Sequence, residues 1–341
     1  MATIAAGYPK ALLSFAVSKG ADRQALLDRS GFSAEDLEHP DNRVAVENYV
    51  ALLKAGAELT GAPALSLEFG KAVRMQDISI VGLICEACET TIEVGPALNR
   101  YAALVVDDDR GEPATLMRGV WKDGGVWIEG PSDLFTQYPQ IAEAEFARLV
   151  WNARVMFAAS PEFQKLRFPR VMHFRHDEPP YRAAFDRIFE APVVFGADWN
   201  AMLIDPEFLS LRQPPVNRYV FGVLSERADA LLKELKASKS ARGRVESLLM
   251  PILHTGEVSM DTIAAKIGQS RQTLYRNLKA ESVTFEQVLD ELRHKLALHF
   301  LSGKKVSVNE TAYLVGFSDP AAFSRAFKRW TGANPSSVRN A

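Results

Sequence analysis

Apolar positions between residues 10 and 105 recur with a period near 3.6: Ala11-Leu12-Leu13, Ala25-Leu26-Leu27, Val50-Ala51-Leu52-Leu53 and Leu98-Tyr101-Ala102-Leu104-Val105. This spacing predicts helices, broken at Gly20, Gly31, Gly61-Ala62-Pro63 and Gly95-Pro96. From Ala114 the texture changes. The stretch ATLMRGVWKDGGVWIEG is two apolar runs around Asp123-Gly124-Gly125, which predicts a β-hairpin. A helix follows over Ile141–Ala159. RVMHF, APVVFGA and NAMLID then read as short strands, with a helix near Tyr181–Phe189 between the first two. Helices first and strands mixed in afterwards make an α+β domain over residues 1–235. Its last helix, near Leu224–Leu235, runs into KASKSARGR, a small, polar, basic stretch expected to be a linker over 236–244. Residues 245–341 carry helical patterning with no strand signal, an all-α domain.

That last stretch repeats itself. TIAAKIGQSRQTLYRNLKAE starts at Thr262 and ETAYLVGFSDPAAFSRAFKRW at Glu310. Ala264 matches Ala312 and Gly268 matches Gly316 at an offset of 48. Leu274 then matches Phe323, and Arg276, Leu278 and Lys279 match Arg325, Phe327 and Lys328, at an offset of 49. Each copy reads as a short helix, a turn at glycine and a second helix. Gly268 and Gly316 suit the position after a helix where φ is positive. Ser270 and Asp319 suit the N-caps of the second helices, with Pro320 in the first turn, where a missing N–H is harmless. The pattern is a helix-turn-helix, twice.

On the later helix Phe323, Phe327 and Trp330 share one face, the spacing of a core stripe, while Arg325, Lys328 and Arg329 fall elsewhere. Between the copies TFEQVLDELRHKLALHFLSG predicts a long helix, opened by a capping box at Thr284 and Gln287 and stopped at Gly303. At 1.5 Å per residue it is a rod of roughly 27 Å, able to hold two recognition helices about one DNA turn, roughly 34 Å, apart. Ser307 and Glu310 form a second capping box.

Charge sharpens this picture. The chain of 341 residues has net charge −2, yet residues 241–341 carry 14 Lys and Arg against 9 Asp and Glu, while residues 1–240 carry 26 against 33. A basic end on an acidic body places any polyanion contact at the C-terminus. No apolar run is long enough for a membrane span, and the N-terminus lacks the pattern of a signal peptide. The only cysteines, Cys85 and Cys88, argue for a reducing compartment. Their C-x-x-C spacing has acidic neighbours, which raise a thiol pKa, and no second such pair completes a metal site. His173 and His176 lie three apart at a strand end and point to opposite faces, so no shared metal is expected. No G-x-S-x-G, P-loop or G-x-G-x-x-G occurs, and no cysteine sits beside a histidine or arginine, so an enzyme is not the expected class and no cofactor is expected.

The run GFSD, FSRAFKRWTG and Pro335, with Ile263-Ala264, Gly268, Leu274 and Arg276-Asn277-Leu278, resembles the DNA-binding domain of the AraC/XylS family of transcription regulators. The resemblance covers the last hundred or so residues. It implies two helix-turn-helix units joined by a long helix, with the second helix of each in adjacent major grooves of promoter DNA. Base readout then falls to Gln272, Tyr275 and Arg276 in the first unit and Ala321, Ala322, Ser324 and Arg325 in the second. Arg reads guanine, Gln reads adenine, and Ala packs on a thymine methyl. Arg271, Lys279, Lys328 and Arg329 are expected at phosphates, which position without specifying. The first helix, richer in polar readers, is expected to discriminate more.

Residues 45–61 and His176–Asp205 resemble the arabinose-binding-type regulatory domain of AraC-family members. Glu190 stands where that pattern more commonly has glycine. This resemblance implies sensing of a small organic effector and self-association. With the DNA-binding domain it implies a bacterial cytoplasmic homodimer of activator type that meets RNA polymerase. Aromatic residues of the strand-rich part, Trp121, Trp127, Phe174, Tyr181, Phe195 and Trp199, are the candidates for an effector pocket, with core packing as the competing reading. An effector-independent regulator working by oligomerisation is the alternative, and an enzyme fused to a DNA-targeting domain a remoter one.

Overall fold

The computed structural model describes residues 2–107, 115–122, 124–214, 218–256, 258–303 and 306–340. The chain divides into two compact units, Met1–Leu232 and Lys233–Ala341.

The first unit opens with β1 (Thr3–Ala5), α1 (Gly7–Ser18), α2 (Arg23–Ser30), β2 (Arg43–Ala45) and α3 (Val46–Thr60). Then come α4 (Leu65–Ala72), α5 (Ile80–Glu86), α6 (Thr91–Arg100), α7 (Ala102–Val105) and β3 (Val106–Asp107). β1 pairs antiparallel with β2 and β3, a three-stranded sheet that the helical reading of this region did not include. Strands of two or three residues are too short for a period of two to register. The break expected at Gly95-Pro96 is also absent: Pro96 lies inside α6. The carbonyl it leaves unpaired belongs to Ile92, a residue 58% exposed, so water is at hand.

The hairpin is present as β4 (Arg118–Lys122) and β5 (Gly125–Glu129), with Gly124 at φ 66°; Asp123 and Ala114 lie outside the described residues. α8 (Asp133–Gln137) and α9 (Pro139–Met156) follow, then β6 (Val171–His173), α10 (Arg182–Phe189), β7 (Val193–Val194) and β8 (Ala201–Ile204). The five strands order as β4-β5-β8-β6-β7, antiparallel except for β6 with β7, which α10 connects. Glu190 ends α10 in the left-handed region at φ 53°, which accounts for glycine being the commoner residue there. Arg154 gathers this end, donating to the carbonyls of Ile188 (2.8 Å), Phe168 (3.1 Å) and Phe189.

α11 (Arg218–Lys239) carries the chain across the boundary between the units, and α12 (Ala241–Leu249) begins after Ser240, whose hydroxyl accepts from the Gly243 N–H. The stretch 236–244 is therefore helical on both sides of one capping serine, not coil. A 3-10 turn, Met250–Thr255, leads into α13 (Met260–Ile267), α14 (Arg271–Ala280), α15 (Phe285–Ser302), α16 (Val308–Leu314), α17 (Pro320–Thr331) and α18 (Pro335–Asn340). α15 runs through two small cores. Val288 and Leu292 pack with Ile263, Leu274 and Leu278, while Ala297 and Leu301 pack with Ala312, Phe323 and Phe327. Both expected capping boxes form, at Thr284–Gln287 and Ser307–Glu310. Gly303 closes α15 with a right-handed φ of −68°, not a left-handed one.

Candidate nucleic-acid interface and regulatory cavity

The two turns of the second unit are the same object. Gln269 N–H donates to Ala264 O at 2.9 Å, and 48 residues on, Phe317 N–H donates to Ala312 O at 2.9 Å. Gly268 and Gly316 stand at φ 75° and 79°. The sequence repeat is thus a repeat of hydrogen bonds that close each helix on a left-handed glycine. The next helix starts from a side-chain cap in each case: Ser270 accepts from Thr273 N–H, and Asp319 accepts from Ala321 and Ala322 N–H at 3.0 Å. Those N–H groups hold the Asp319 carboxyl below the usual carboxylate range.

Around the turns the copies differ. A Cβ on Gly268 would meet nothing within 4 Å, whereas one on Gly316 would lie 2.1 Å from the Leu253 carbonyl oxygen. Arg293 of α15 also grips the second turn, donating to Val315 O and Gly316 O at 3.1 Å each, with its guanidinium 4.7 Å from the Phe317 ring centroid. Sequence reading did not single out Arg293. A lone arginine on a long helix looks like any surface cation.

On α14, Leu274 and Leu278 face the core, so Gln272, Tyr275, Arg276 and Lys279 are exposed, Tyr275 at 51%. Arg271 is exposed but paired with Asp261 at 2.5 Å. On α17, Phe323, Ala326 and Phe327 are buried, Ala321, Arg325 and Lys328 are exposed, and Ala322 and Ser324 are half-buried. The Ser324 hydroxyl donates back to Pro320 O at 2.9 Å. Arg329 pairs with Asp290 of α15 at 2.7 Å.

The first unit contains a cavity of about 540 Å³. Its floor is one face of the five-stranded sheet. Register brings Gly119, Ile128 and Met202 into one row and Trp121, Val126 and Ile204 into the next. All six line the cavity. Leu149, Asn152, Ala153 and Met156, one stripe of α9, supply a second wall, and residues of α6 a third. The intervening strand residues Val120, Trp127, Leu203 and Val171 form a separate cluster on the sheet's other face.

That alternation sorts the aromatic candidates. Trp121 lines the cavity, and the other five lie elsewhere. Trp127 stacks near Trp199 and His173, with Trp199 Nε1 donating to His173 Nδ1 at 3.2 Å. Phe174 and Phe195 pack with Phe185 in an aromatic core. Tyr181 stacks on Phe185 and donates to Glu143 Oε1 at 3.0 Å. Ser66 also bonds Glu143, and His176 Nε2 approaches it to 3.6 Å. Burial pushes the Glu143 carboxyl up to about 7, against the pull of those two hydrogen bonds. His173 and His176 therefore belong to different clusters. Cys85 lines the cavity wall and Cys88 is buried beside it; burial pushes both thiols up, Cys88 to about 11.

Comparison with known proteins fits both halves of this architecture. Residues 20–213 match the family model described as the arabinose-binding domain of AraC transcription regulator, N-terminal, and residues 263–341 match a helix-turn-helix domain. The chain belongs to the AraC family of transcription regulators. Over 339 residues this AraC-family chain is 26% identical to the ornithine utilization regulator of Pseudomonas aeruginosa, covering 98% of this chain and 95% of that one. It is 27% identical over 177 residues to the transcriptional regulator VirS of Mycobacterium tuberculosis, covering 50% and 49%. Over 84 residues it is 38% identical to the transcriptional activator RhaS of Escherichia coli, covering 24% and 30%. Among solved structures, the transcriptional regulator CdpR from Pseudomonas aeruginosa aligns over 82% of this chain and 87% of that one, at 23% identity and a TM-score of 0.35. These relatives carry regulators' names, not enzymes'. The chain is a DNA-binding helix-turn-helix regulator with an arabinose-binding-type N-terminal domain. No helix among the described residues is long and apolar enough to cross a membrane.

Proposed function

We propose that this regulator is a one-component switch: a small molecule bound in the cavity of the first unit alters the grip of the second on promoter DNA. The duplicated turn, with its two exposed second helices hung on one rod, is the observation that carries the DNA half. Gln272, Tyr275, Arg276, Ala321, Ala322 and Arg325 read bases in adjacent major grooves. Ser324 is a weaker reader, since its proton is engaged by Pro320 O. Lys279 and Lys328 take phosphates directly, while Arg271 and Arg329 do so by exchanging a carboxylate partner for one.

The cavity supports the sensing half through its connection along the chain. Residues 211–213, of which Gln213 is on its wall, are stitched to 89–91 by Thr91 N–H to Leu211 O (3.1 Å) and Gln213 N–H to Glu89 O (3.0 Å). The same chain continues into α11. A ligand that prefers one arrangement of this wall shifts the population of states; one that binds both equally shifts nothing. The regulator acts as a homodimer and meets RNA polymerase in this reading, and residues 1–235, 236–244 and 245–341 serve as sensor, connector and reader.

The test is fluorescence anisotropy on a promoter fragment from the regulator's own locus, across a salt series, for wild type, Arg276→Ala and Arg325→Ala. Steep salt dependence in all three, with sequence discrimination relaxed in the two variants, is the expected outcome. Absence of salt-dependent binding by the wild type would overturn the proposal.

A further inference from the structure

Several polar groups around the cavity are engaged within the protein. Asn99 Nδ2 donates to Met117 O at 2.7 Å, and its Oδ1 accepts from Leu116 and Met117 N–H at 2.9 and 3.1 Å. Thr91 donates to Phe208 O, and Asn152 Nδ2 to Arg148 O at 2.8 Å. Arg118, the cationic side chain among the described lining residues, is paired across the hairpin with Glu129 at 2.6 Å. Gln213 breaks the pattern. It is 7% exposed, its Nε2 donates to Cys85 O at 3.3 Å, and its Oε1 is buried with no hydrogen-bond partner. A buried acceptor left unmet is rare and destabilising, and it marks where a donor belongs.

The rest of the wall is apolar and adaptable. Met75, Met117, Met156 and Met202 are four of the chain's eight methionines, flexible thioethers that reshape around apolar guests. Two exposed apolar residues, Ile92 and Trp121 (58% and 70%), also line the cavity, an apolar surface that core packing does not explain. The volume suits one small organic molecule. An anion entering here meets no unpaired cation among the described lining residues, and it meets Glu86, whose own carboxyl is pushed up by burial.

The geometry points to an uncharged, largely apolar effector that carries a hydroxyl or N–H group and donates it to Gln213 Oε1. This rests on the effector-sensing reading above and names the chemistry of its ligand. Gln213 is the specificity residue: the apolar walls supply affinity for any hydrophobic guest, and the amide oxygen selects those with a donor.

The test uses the full chain and the neutral dye N-phenyl-1-naphthylamine, read by its fluorescence rise on entering an apolar site. It is then displaced by 1-octanol, octyl methyl ether or octanoate. Octanol should displace the dye at roughly tenfold lower concentration than either of the others, the scale of one buried hydrogen bond satisfied. In Gln213→Leu the alcohol and ether should become equal. In Ala153→Trp, which fills the cavity from α9, dye binding should be lost. The wild-type comparison stands even if a variant fails to fold. Equal displacement by octanol and ether in wild type, stronger displacement by octanoate, no dye binding, or unchanged dye binding in Ala153→Trp would each overturn the proposal. Promoter affinity measured with and without saturating octanol separates the two readings. Tight octanol binding with unaltered DNA affinity sinks the sensing reading and leaves the cavity chemistry standing.

Discussion

The two helix-turn-helix copies close their turns with the same hydrogen bonds and differ in what packs against those turns. The first turn stands in the open, and its second helix exposes long polar side chains at 272, 275 and 276. The second turn is pressed on the Leu253 carbonyl and held by Arg293, and its helix presents alanines, a back-bonded serine and Arg325, which lies 3.9 Å from the capping Asp319 carboxylate. The turn is common to both copies and its surroundings are not: the second is clamped by Arg293, and in the proposed reading the first discriminates more among bases.

The largest difference between the copies is expected at the glycines. Gly316→Ala combines left-handed strain with a backbone clash and should destabilise the second unit by about 3 kcal/mol or more, against about 1 kcal/mol for Gly268→Ala. Thermal or urea unfolding followed at Trp330 reads the difference; equal losses would mean the turns are equivalent. Next, Arg293→Ala removes two charge-assisted bonds and should destabilise by about 2 kcal/mol, with Arg293→Lys rescuing little because an ammonium lacks the fork. Full rescue by lysine would reduce the clamp to mere charge. Arg276→Ala should then lose about 1–3 kcal/mol of discrimination between cognate and scrambled promoter, and Arg325→Ala less. The reverse order, measured by competition anisotropy, would assign reading to the second copy. The smallest effects concern salt. Lys279→Ala and Lys328→Ala should each lower the slope of log K against log salt by about 1. Arg271→Ala and Arg329→Ala should lower it less, because their surface pairs with Asp261 and Asp290 compete with phosphate.

Legibility in the sequence differs between the units for a physical reason. The DNA-binding half is punctuated: glycines with positive φ, serine and aspartate caps, and a core stripe of leucines and phenylalanines each leave a residue-type mark at a fixed spacing. Ser270, Asp319 and Pro320 declare the starts of their helices by residue type alone. The cavity leaves no such mark. β5 and β8 are apolar on both faces, so GVWIE and AMLI do not say which residues face a hole and which a core. Size is a poor guide. Large aromatics fill space, and Trp127, Phe174, Tyr181, Phe195 and Trp199 do so, while the smaller or more flexible residues lining the cavity include four methionines, two glycines and an alanine. Gln213 carries no pattern at all, being a single amide after a short bridge.

The interleaving of the two sheet faces has an evolutionary corollary. Along β5 and β8, every cavity residue is flanked by residues that hold the sheet together from behind. Mutation at 126, 128, 202 or 204 reshapes the cavity wall, while 127, 201 and 203 pack in the separate cluster on the sheet's other face. If the cavity is the effector site proposed above, its guest is changed one even-numbered position at a time. A single-residue insertion, by contrast, would exchange the cavity face and the packed face at a stroke.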